Sequence, residues 1–502
     1  MPDSAPSLID SRLPGRRALY FDGGWQESSS GRFIDVECPS TGQALGRVAD
    51  ANADDVARAV HSARAGFAAW RDVPAHERAR AVRAAAMVIR EHAEELAWID
   101  AVDCGVAYQA MLHDAMVSAD YMDYFAGLAI ELKGNTIPVG PGWLNYTLRE
   151  PLGVVARIGA FNHPLLFVAA KAGAPLAAGN SLIVKPADQT PLSALRIAEL
   201  WDGLFPPGVF NVVTGGRETG AALVAHRDVA KVGLIGSVAA GRAVMRSAGE
   251  SIKKLTLELG GKNPLIACAD ATSEEVADGV VHGMNFRYAN GQSCNSTSRI
   301  YLHDAIHDAT LPKIVARVAA LRVGIPMDPA TEMGCLSSKA QLEKSMSYVR
   351  LGQEEGARLL YGGKRPADPA LAGGHFLEPT VFADVRDDMR IAREEIFGPV
   401  VSILRWSDER DVLARANALD VGLTASIWTR DLDRAHRLAA RVEAGFVWIN
   451  GASTHHVGVP FGGYKQSGTG REESIDELLE CTQLKNVMVT LRPLANGDEA
   501  GP

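Results

Sequence analysis

Two residues lie in sequence settings that suit covalent catalysis. Cys294 lies in NGQSCNSTSR, a Gly- and Ser-rich loop between a predicted helix and a predicted strand. A loop thiol near a helix terminus is a candidate nucleophile, although most free cysteines are inert and half-buried. Glu258 ends the apolar strand TLEL and precedes two glycines. Burial at a domain junction would raise the pKa of this carboxyl and make it a general base; a structural ion pair is the alternative.

Four further segments follow predicted strands and suit a ligand. Asn162, in GAFNHP, could donate its amide to an oxyanion, or it is a simple turn residue. Lys185 and Asp188, in VKPAD, could bind ribose hydroxyls or form a solvated loop pair. The chain contains no G-x-G-x-x-G, but GSVAAG begins at Gly236, directly after KVGLI, and GGRETG spans 215–220. Glycines at a helix start suit a pyrophosphate, and ordinary βα turns are the alternative.

The segments that carry these residues alternate between strand and helix patterns. From 153 to 260, the apolar runs VVARI, SLIVK, VFNVV, KVGLI and LTLEL are separated by Ala-rich helical stretches. Strict alternation predicts an α/β fold with a parallel, doubly wound sheet, which binds its ligands outside the carboxyl ends of the strands. After Gly261 the alternation restarts, which predicts a second α/β domain.

The remaining segments follow other patterns. One amphipathic helix is predicted from about Asn52 to Trp70, and a second from Pro74 to near Gly105. The segment 131–151 is rich in Gly, Pro, Thr and aromatic residues, which predicts an extended, hairpin-like excursion. NVMVTL, near the C-terminus, is a lone strand that we expect to pair with this excursion or with another subunit.

Length and charge exclude several classes of partner. The chain has 502 residues, 47% of them apolar and 22% charged, which is ordinary for a globular protein of two or three domains. It carries 60 Asp and Glu against 51 Lys and Arg, a net charge of −9. This acidic balance argues against binding to nucleic acid or to an anionic membrane surface.

Cysteine usage and hydropathy bear on the compartment. The six cysteines include no C-x-x-C pair, so neither a disulfide framework nor a metal site is expected, and free thiols suggest a reducing environment. Asp3 and Asp10 are wrong for a signal peptide. The most apolar region, around 152–184, has only 13 residues between Arg157 and Lys171, too few to span a membrane. We expect a cytoplasmic protein.

Taken in this order, the segments resemble the aldehyde dehydrogenase superfamily, from about residue 20 to residue 490. LELGGKNP, GQSC and EEIFGPV are the specific motifs. The resemblance, to non-acylating betaine-aldehyde or general aldehyde dehydrogenases, implies Cys294 as the nucleophile, Glu258 as the general base and Asn162 as the oxyanion-hole amide. Lys171 and Glu472 match a pair discussed as a proton relay, and a structural salt bridge is equally compatible with them.

The resemblance also implies a dinucleotide site, in which Lys185 and Asp188 contact ribose, Ser237 contacts phosphate, and Glu395 and Phe397 hold the nicotinamide ribose and ring. The complete set of expected cofactor residues is Ile158, Phe161, Lys185, Asp188, Gly216, Gly220, Gly236, Ser237, Leu259, Glu395 and Phe397. Asp188 replaces the commoner Glu but keeps the charge that repels a 2′-phosphate, so NAD is favoured over NADP.

The expected substrate pocket departs from the family pattern at two histidines. His163 and His455 stand where many relatives carry an aromatic residue, so the funnel lacks part of the cage that a quaternary ammonium aldehyde would favour. We expect a neutral aldehyde, for example an aromatic one, with the histidines hydrogen-bonding a hydroxyl or carbonyl; the alternative is that they only fill space. The expected pocket residues are His163, Phe167, Ser293, Asn295, His455 and Phe461.

These assignments imply NAD-dependent oxidation of an aldehyde to its carboxylic acid. The reaction passes through a cysteine thiohemiacetal and then a thioester. Glu258 activates a water molecule, and this water hydrolyses the thioester. A CoA-acylating semialdehyde dehydrogenase is the first alternative, but such relatives usually lack the base that Glu258 would provide. A non-catalytic structural or binding relative is the second, and retention of Cys294, Glu258 and Asn162 together argues against it.

The resemblance divides the chain into functional parts. A cofactor-binding domain is expected from 20–130 and 152–259, and a catalytic domain from 260–455. Residues 131–151 and 484–496 would form an oligomerisation arm, and 456–483 a segment that returns to the cofactor domain. The expected assembly is a homodimer or homotetramer.

Overall fold

The computed structural model describes residues 12–491. The strands are, in chain order, β1 (Leu19–Phe21), β2 (Gly24–Gln26), β3 (Phe33–Glu37), β4 (Ala44–Ala49), β5 (Thr136–Ile137), β6 (Trp143–Pro151), β7 (Val154–Ile158), β8 (Ser181–Lys185), β9 (Phe210–Val212), β10 (Val229–Ile235), β11 (Lys254–Glu258), β12 (Pro264–Ala267), β13 (Arg299–His303), β14 (Arg358–Tyr361), β15 (Thr380–Ala383), β16 (Val400–Trp406), β17 (Val421–Gly422), β18 (Thr424–Trp428), β19 (Phe446–Ile449), β20 (Tyr464–Lys465), β21 (Gly468–Thr469) and β22 (Thr482–Thr490).

The helices are, in chain order, α1 (Ala53–Trp70), α2 (Ala75–Glu91), α3 (Ala93–Cys104), α4 (Tyr108–Leu128), α5 (Pro164–Ala177), α6 (Leu192–Leu200), α7 (Arg217–Ala225), α8 (Val238–Gly249), α9 (Ser273–Gly283), α10 (Phe286–Ala289), α11 (Asp304–Ala319), α12 (Lys339–Glu354), α13 (Arg390–Arg393), α14 (Glu409–Asn417), α15 (Leu432–Ala439) and α16 (Ile475–Glu480). Short 3₁₀ turns span Ala129–Glu131 and Pro369–Leu371. Within residues 12–491, no helix combines the length and apolar character needed to cross a membrane.

The first sheet has eight strands in the order β2-β1-β9-β8-β7-β10-β11-β21. Its central strands, β9 to β11 in that order, pair in parallel and contain all five apolar runs that predicted a doubly wound sheet. Strands β1 and β21 pair antiparallel at its two sides. The predicted parallel α/β sheet is therefore confirmed. Its strands carry few polar side chains because helices cover both faces of a parallel sheet and bury it.

The second sheet has seven strands in the order β14-β15-β16-β13-β12-β18-β19. All of its pairs are parallel except β14 with β15. Strand β12 begins six residues after the end of β11, so the loop through Gly260 and Gly261 connects the two sheets. This second α/β sheet agrees with the alternation predicted after Gly261.

A separate three-stranded sheet has the order β22-β6-β5. Strand β22 pairs antiparallel with β6 along the whole of both strands, from Thr482 opposite Pro151 to Thr490 opposite Trp143. The lone C-terminal strand therefore pairs with the 131–151 excursion of the same chain. The last part of the expected arm, 492–496, lies outside the described residues.

The two predicted N-terminal helices differ in outcome. The first is α1, whose start is fixed by a capping box between Asn52 and Asp55. The second, expected to run without a break to Gly105, is interrupted at His92, whose φ of −111° and ψ of 16° lie outside the helical range. It therefore forms α2 and α3, and α3 ends at Gly105, which has a left-handed φ of 80°.

Candidate active site

The site forms where parallel strands of the first sheet end side by side. Strands β7, β8, β10 and β11 end at Ile158, Lys185, Ile235 and Glu258. Because these strands are neighbours in one parallel sheet, the loops that follow them meet at one edge. The expected residues Asn162, Asp188, Gly236 and Ser237 lie in those loops or at the start of the following helix.

A cavity of about 140 Å³ lies at this edge, between the two sheets. It brings together the three expected catalytic residues Cys294, Glu258 and Asn162. Five of the expected cofactor residues also line it: Phe161, Gly236, Ser237, Glu395 and Phe397. Gln341 and Lys344, in the first two turns of α12, also line it. Neither residue belongs to a motif, so the sequence does not predict them here, and only the packing of α12 brings them to the cavity.

Glu258 is a buried carboxyl without a protein partner. Its side chain is 4% exposed, and neither carboxylate oxygen has a hydrogen bond to any described residue. Burial, reinforced by the nearby negative charge of Glu472, raises the pKa of Glu258 well above its ordinary value. Its main chain is fixed on both sides, by pairing with β10 and β21. An unpartnered carboxyl held this rigidly is available to a ligand or to water.

Cys294 lies in an irregular loop between α10 and β13. The Asn263 amide holds this loop by donating to the carbonyl oxygens of Cys294, at 2.8 Å, and Ser296, at 3.0 Å. Burial and the neighbouring carboxylates Glu258 and Glu395 raise the pKa of the Cys294 thiol. Without a ligand, the protein therefore favours the protonated thiol, and attack requires that a base or a cation offset this effect.

The other cysteines lie away from the cavity, and each of them is buried: Cys38, Cys104, Cys268, Cys335 and Cys481. Within residues 12–491, no group of three His, Cys, Asp or Glu side chains is arranged to hold a metal ion.

Asn162 is positioned by the N-terminus of α5. The residue is 3% exposed and lines the cavity, and it precedes His163 and Pro164 at the helix start. Asp100 of α3 accepts a hydrogen bond from the Leu165 backbone N–H at 2.9 Å, which fixes the first turn. A rigid helix start therefore carries the candidate oxyanion amide.

The expected cofactor residues at β8 and α7 form a second part of the edge. Lys185 is buried, its ammonium donates to the Pro186 carbonyl at 2.9 Å, and burial lowers its pKa. Asp188 is exposed. A Cβ atom placed on Gly220 would lie 3.6 Å from the Lys185 side chain, whereas one on Gly216 would meet nothing within 4 Å. Open space therefore adjoins the start of α7.

The expected phosphate and nicotinamide positions show close packing that requires glycine. Ser237 caps α8 by accepting from the Ala240 N–H at 3.2 Å. A Cβ on Gly241 would lie 2.4 Å from Leu259, and one on Gly260 would lie 2.1 Å from Glu395. Glu395 in turn accepts from the Gly261 N–H at 3.0 Å.

Apolar side chains line the same region. The rings of Phe161 and Phe397 meet edge to face, with their centroids 5.6 Å apart. Ile158 lies beside Gly220 in the neighbouring wall.

The expected substrate residues form two hydrogen-bonded groups. His163 Nδ1 lies 2.6 Å from the Asp114 carboxylate, and its ring contacts Phe167. Burial opposes protonation of His163, but Asp114 outweighs it and raises the pKa of the ring. In the second group, Ser293 donates to Asn295 at 2.6 Å, and the Asn295 amide lies 2.9 Å from His455 Nε2.

Both ring nitrogens of His455 are used by the protein, because Nδ1 lies 3.0 Å from the Glu473 carboxylate. The expectation that His455 hydrogen-bonds a substrate hydroxyl or carbonyl is therefore not supported. The ring is also surrounded by Phe446, Trp448 and Phe461, at centroid distances of 5.8, 6.0 and 4.8 Å. Sequence reasoning missed the first two aromatic residues, which come from β19.

Lys171 and Glu472 belong to a buried ionic network. The two groups lie 2.8 Å apart, and Glu472 also pairs with Arg157 at 2.5 Å. Glu477 pairs with Arg157 and lies 3.8 Å from Lys171. Burial opposes ionisation of Glu472, but the two cations outweigh it and lower its pKa to about 2. Glu472 is therefore a permanently charged carboxylate at neutral pH.

The fold and the cavity together describe an α/β protein in which a thiol, Cys294, and a buried carboxyl, Glu258, line one strand-end cleft. The model of the aldehyde dehydrogenase family matches residues 25–487, and the chain therefore belongs to this family. The protein is an oxidoreductase enzyme. Aldehyde dehydrogenase tropH of Talaromyces stipitatus is 48% identical over 491 residues, which are 96% of this chain and 95% of that protein.

Solved structures agree with this assignment. The NAD⁺ complex of an aldehyde dehydrogenase from Bacillus cereus is 39% identical, covers 97% of this chain and 99% of its own, and has a TM-score of 0.93. PnpE from Pseudomonas sp. WBC-3 is also 39% identical, with 96% and 99% coverage and a TM-score of 0.93. The expected aldehyde dehydrogenase fold is thereby confirmed.

Proposed function

We propose that the protein is an NAD-dependent, non-acylating aldehyde dehydrogenase that oxidises an aldehyde to its carboxylic acid. The observation that carries this proposal is the unpartnered, buried Glu258 carboxyl, which lines the same cavity as the Cys294 thiol and the Asn162 amide. An unsatisfied buried polar group costs about 1–3 kcal/mol, so its retention fits a group that acts on a ligand.

The residues at the sheet edge fit a dinucleotide. Lys185 and Asp188 would contact ribose hydroxyls, Ser237 at the α8 N-terminus a phosphate, and Glu395 with Phe397 the nicotinamide ribose and ring. The Gln341 side-chain oxygen is also buried without a described partner, and it lines the cavity as a further acceptor. Bound NAD would supply the hydride acceptor for the oxidation. The exposed Asp188 carboxylate favours NAD over NADP.

Groups of the protein itself carry out the other steps, which are attack on the aldehyde, stabilisation of the alkoxide and hydrolysis of the thioester. The Cys294 thiol releases its proton to solvent, and the sulfur then attacks the aldehyde carbon; the Asn162 amide with the Cys294 backbone N–H stabilises the resulting alkoxide. Oxidation of this thiohemiacetal gives a thioester on Cys294. Glu258 then takes a proton from water, which attacks the thioester carbon; the acid leaves and the thiol is regenerated. The sum is aldehyde, NAD⁺ and water giving acid, NADH and a proton.

Two other functions remain as alternatives. A CoA-acylating semialdehyde dehydrogenase would pass the acyl group to a thiol and would not need a base for water, which the retained Glu258 argues against. A non-catalytic relative of the same fold would have no reason to keep two unsatisfied Glu258 oxygens in a cavity.

For the substrate, we propose a neutral aldehyde with an apolar or aromatic body. Phe167 and Phe461 belong to the expected pocket, and Phe446 and Trp448 add aromatic surface beside His455. Both nitrogens of His455 are already hydrogen-bonded to the protein. Polar groups of the substrate would therefore bind the second ring nitrogen of His163, since Asp114 contacts Nδ1, or backbone groups.

The organisation of the chain is proposed as cofactor domain (20–130 and 152–259), catalytic domain (260–455), arm (131–151 and 484–496) and return segment (456–483). The arm carries apolar side chains that the single chain leaves exposed, such as Trp143, Leu484 and Met488, at 48%, 58% and 51%. A second copy covering them would give a homodimer or homotetramer. A cytoplasmic location is proposed, because Cys294 must stay reduced to act.

The direct test is turnover by the purified protein with NAD and a panel of aliphatic, aromatic and cationic aldehydes, followed by absorbance of the reduced cofactor. We expect NADH formation without CoA. Absence of NADH with every aldehyde would contradict the proposal, and activity only with CoA would favour the acylating alternative.

A further inference from the structure

A hydrogen-bond chain outside the proposed reaction steps ends beside the candidate nucleophile. Ser293 and Asn295 flank Cys294 and are bonded to each other at 2.6 Å. The chain continues from Asn295 to His455 Nε2 at 2.9 Å, and from His455 Nδ1 to Glu473 at 3.0 Å. It thus links the nucleophile loop to the segment after β19 and to the segment before α16.

One backbone carbonyl fixes the direction of these bonds. Asn285 Nδ2 lies 3.4 Å from the Gly283 carbonyl oxygen, which can only accept, and 2.8 Å from Asn295 Oδ1. Asn295 therefore presents its oxygen to Asn285 and to Ser293, and its N–H to His455. Since an amide N–H only donates, Nε2 of His455 is the acceptor.

The other end of the chain selects the same tautomer. Burial opposes ionisation of Glu473, but the hydrogen bond with His455, the Lys171 cation and a bond from the Tyr121 hydroxyl at 2.8 Å outweigh it and lower the pKa of Glu473. An ionised Glu473 accepts, so Nδ1 of His455 carries the hydrogen and donates. A hydrogen on Nδ1 of His455 and a lone pair on Nε2 thus satisfy every partner in the chain.

We infer that His455 is a positioning residue, which orients the Asn295 side chain and thereby the loop that presents the Cys294 sulfur. The inference deepens the proposed function and rests on it. His455 acts through its Nε2 acceptor, while Glu473 holds the tautomer and Phe446 and Phe461 hold the plane of the ring.

A matched pair of variants separates the two nitrogens. In His455→Gln the amide oxygen reaches the position of Nε2 and can accept from Asn295; in His455→Asn the amide reaches only the position of Nδ1, next to Glu473. We expect His455→Gln to keep most of kcat and His455→Asn to lower it about 10- to 100-fold, because small displacements of a reacting group cost rates of this size. KM for NAD should stay constant. His456→Asn, at the exposed neighbouring residue, is the control.

A readout without turnover tests positioning itself. Alkylation of Cys294 by iodoacetamide in the absence of NAD and aldehyde, followed by peptide mass spectrometry, should be about threefold faster or more in His455→Asn, because the loop is released. In an Asn295→Ala background, His455→Asn should have no further effect on kcat or on alkylation. If His455→Asn does not fold, Asn295→Ala alone replaces it, with the same expected loss of kcat.

Several outcomes overturn the inference. Equal losses in His455→Gln and His455→Asn, or additive losses in the Asn295→Ala background, would mean that the ring only fills space among its aromatic neighbours. If the wild-type protein oxidises no aldehyde, the proposed function fails, while the alkylation rates still decide whether His455 positions Cys294.

Discussion

The Lys171 ammonium lies 2.8 Å from the Glu472 carboxylate, inside a buried network that also contains Arg157 and Glu477. The sequence left open whether this pair relays protons or forms a salt bridge. Two cations and two carboxylates balance one another there, and the pKa of Glu472 is held at about 2. Since a group with this pKa does not exchange protons near neutral pH, the network favours a structural role.

Glu472→Gln should therefore affect stability more than chemistry. The variant removes the carboxylate that pairs with both Lys171 and Arg157, and breaking a buried pair in this way costs about 3–5 kcal/mol. We expect a marked fall in the melting temperature. In the folded enzyme at low temperature, kcat should be largely kept and its rise with pH should move to lower pH, because the charge of Glu472 helps to raise the pKa of Glu258. Glu443→Gln, which breaks the exposed pair with Lys465, should cost less than about 1 kcal/mol. An unchanged melting temperature with a collapsed kcat would identify a proton relay instead.

The parts of this site that the sequence predicted are those carried by local patterns. Five apolar runs predicted the parallel sheet, and strand ends with glycines predicted the edge at which Glu258, Asn162 and Ser237 meet. The period of the apolar residues and the spacing of the glycines predict these strands and strand ends, because each strand and its following loop are continuous in sequence.

The contacts that sequence could not predict join distant residues. Tyr121 and Glu473 are 352 positions apart, and His455 and Asn295 are 160 apart, yet each pair is hydrogen-bonded. No periodicity encodes such bonds, so the sequence leaves open whether His455 hydrogen-bonds the substrate or only fills space. The break between α2 and α3 at His92 was missed for a related reason, since the helical pattern continues through it while the backbone does not.

Cys294→Ala should abolish NADH formation without affecting NAD binding. The sulfur is the only group of residue 294 that reacts, whereas the expected cofactor contacts come from other segments of the chain. Steady-state assays and calorimetric titration with NAD test the two halves of this prediction. Cys268→Ala, at a buried cysteine outside the cavity, is the matched control and should keep turnover. NADH formation at the wild-type rate in Cys294→Ala would exclude this residue as the nucleophile.

The pH dependence of kcat should report on Glu258. Burial raises the pKa of this carboxyl well above its ordinary value, so it stays protonated until the pH exceeds that raised value. A general base must be ionised, and kcat should therefore rise with pH on the alkaline side of the usual carboxyl range. Glu258→Gln should lower kcat about 10²- to 10⁴-fold and remove this rise. An unchanged pH profile in Glu258→Gln would assign the ionisation to another group.

The choice between NAD and NADP should depend on Asp188. Its exposed carboxylate would repel a 2′-phosphate, whereas a neutral side chain would not. Asp188→Ser should raise the ratio of kcat/KM for NADP to that for NAD about tenfold, equivalent to about 1.4 kcal/mol. Gln189→Ser, at the neighbouring exposed residue, should leave the ratio unchanged. If both variants gave the same ratio, Asp188 would have no part in the choice.

Asp100 should give the protein a pH-dependent stability. Two aspartates one turn apart on α3 each accept from the start of another helix: Asp100 from the Leu165 N–H and Asp103 from the Leu192 N–H, both at 2.9 Å. Burial raises the pKa of Asp100 to about 7, although the nearby Ser193 hydroxyl and the hydrogen bond from the Leu165 N–H oppose the shift. The folded state therefore binds a proton that the unfolded state has released, and stability falls as pH rises from about 4 to about 7.

Asp100→Asn removes this ionisation but keeps an oxygen for the Leu165 N–H. The variant should match the wild type only below about pH 4; it should be more stable by about 1–2 kcal/mol at pH 5 and by no more than about 4 kcal/mol at pH 8. Thermal unfolding from pH 5 to 8 measures the difference, which should grow up to about pH 7 and then stay constant. Asp100→Ala loses the acceptor and should be less stable than Asp100→Asn at every pH, by about 1–3 kcal/mol. A difference between Asp100→Asn and wild type that is the same at pH 5 and pH 8 would show that Asp100 does not titrate in this range.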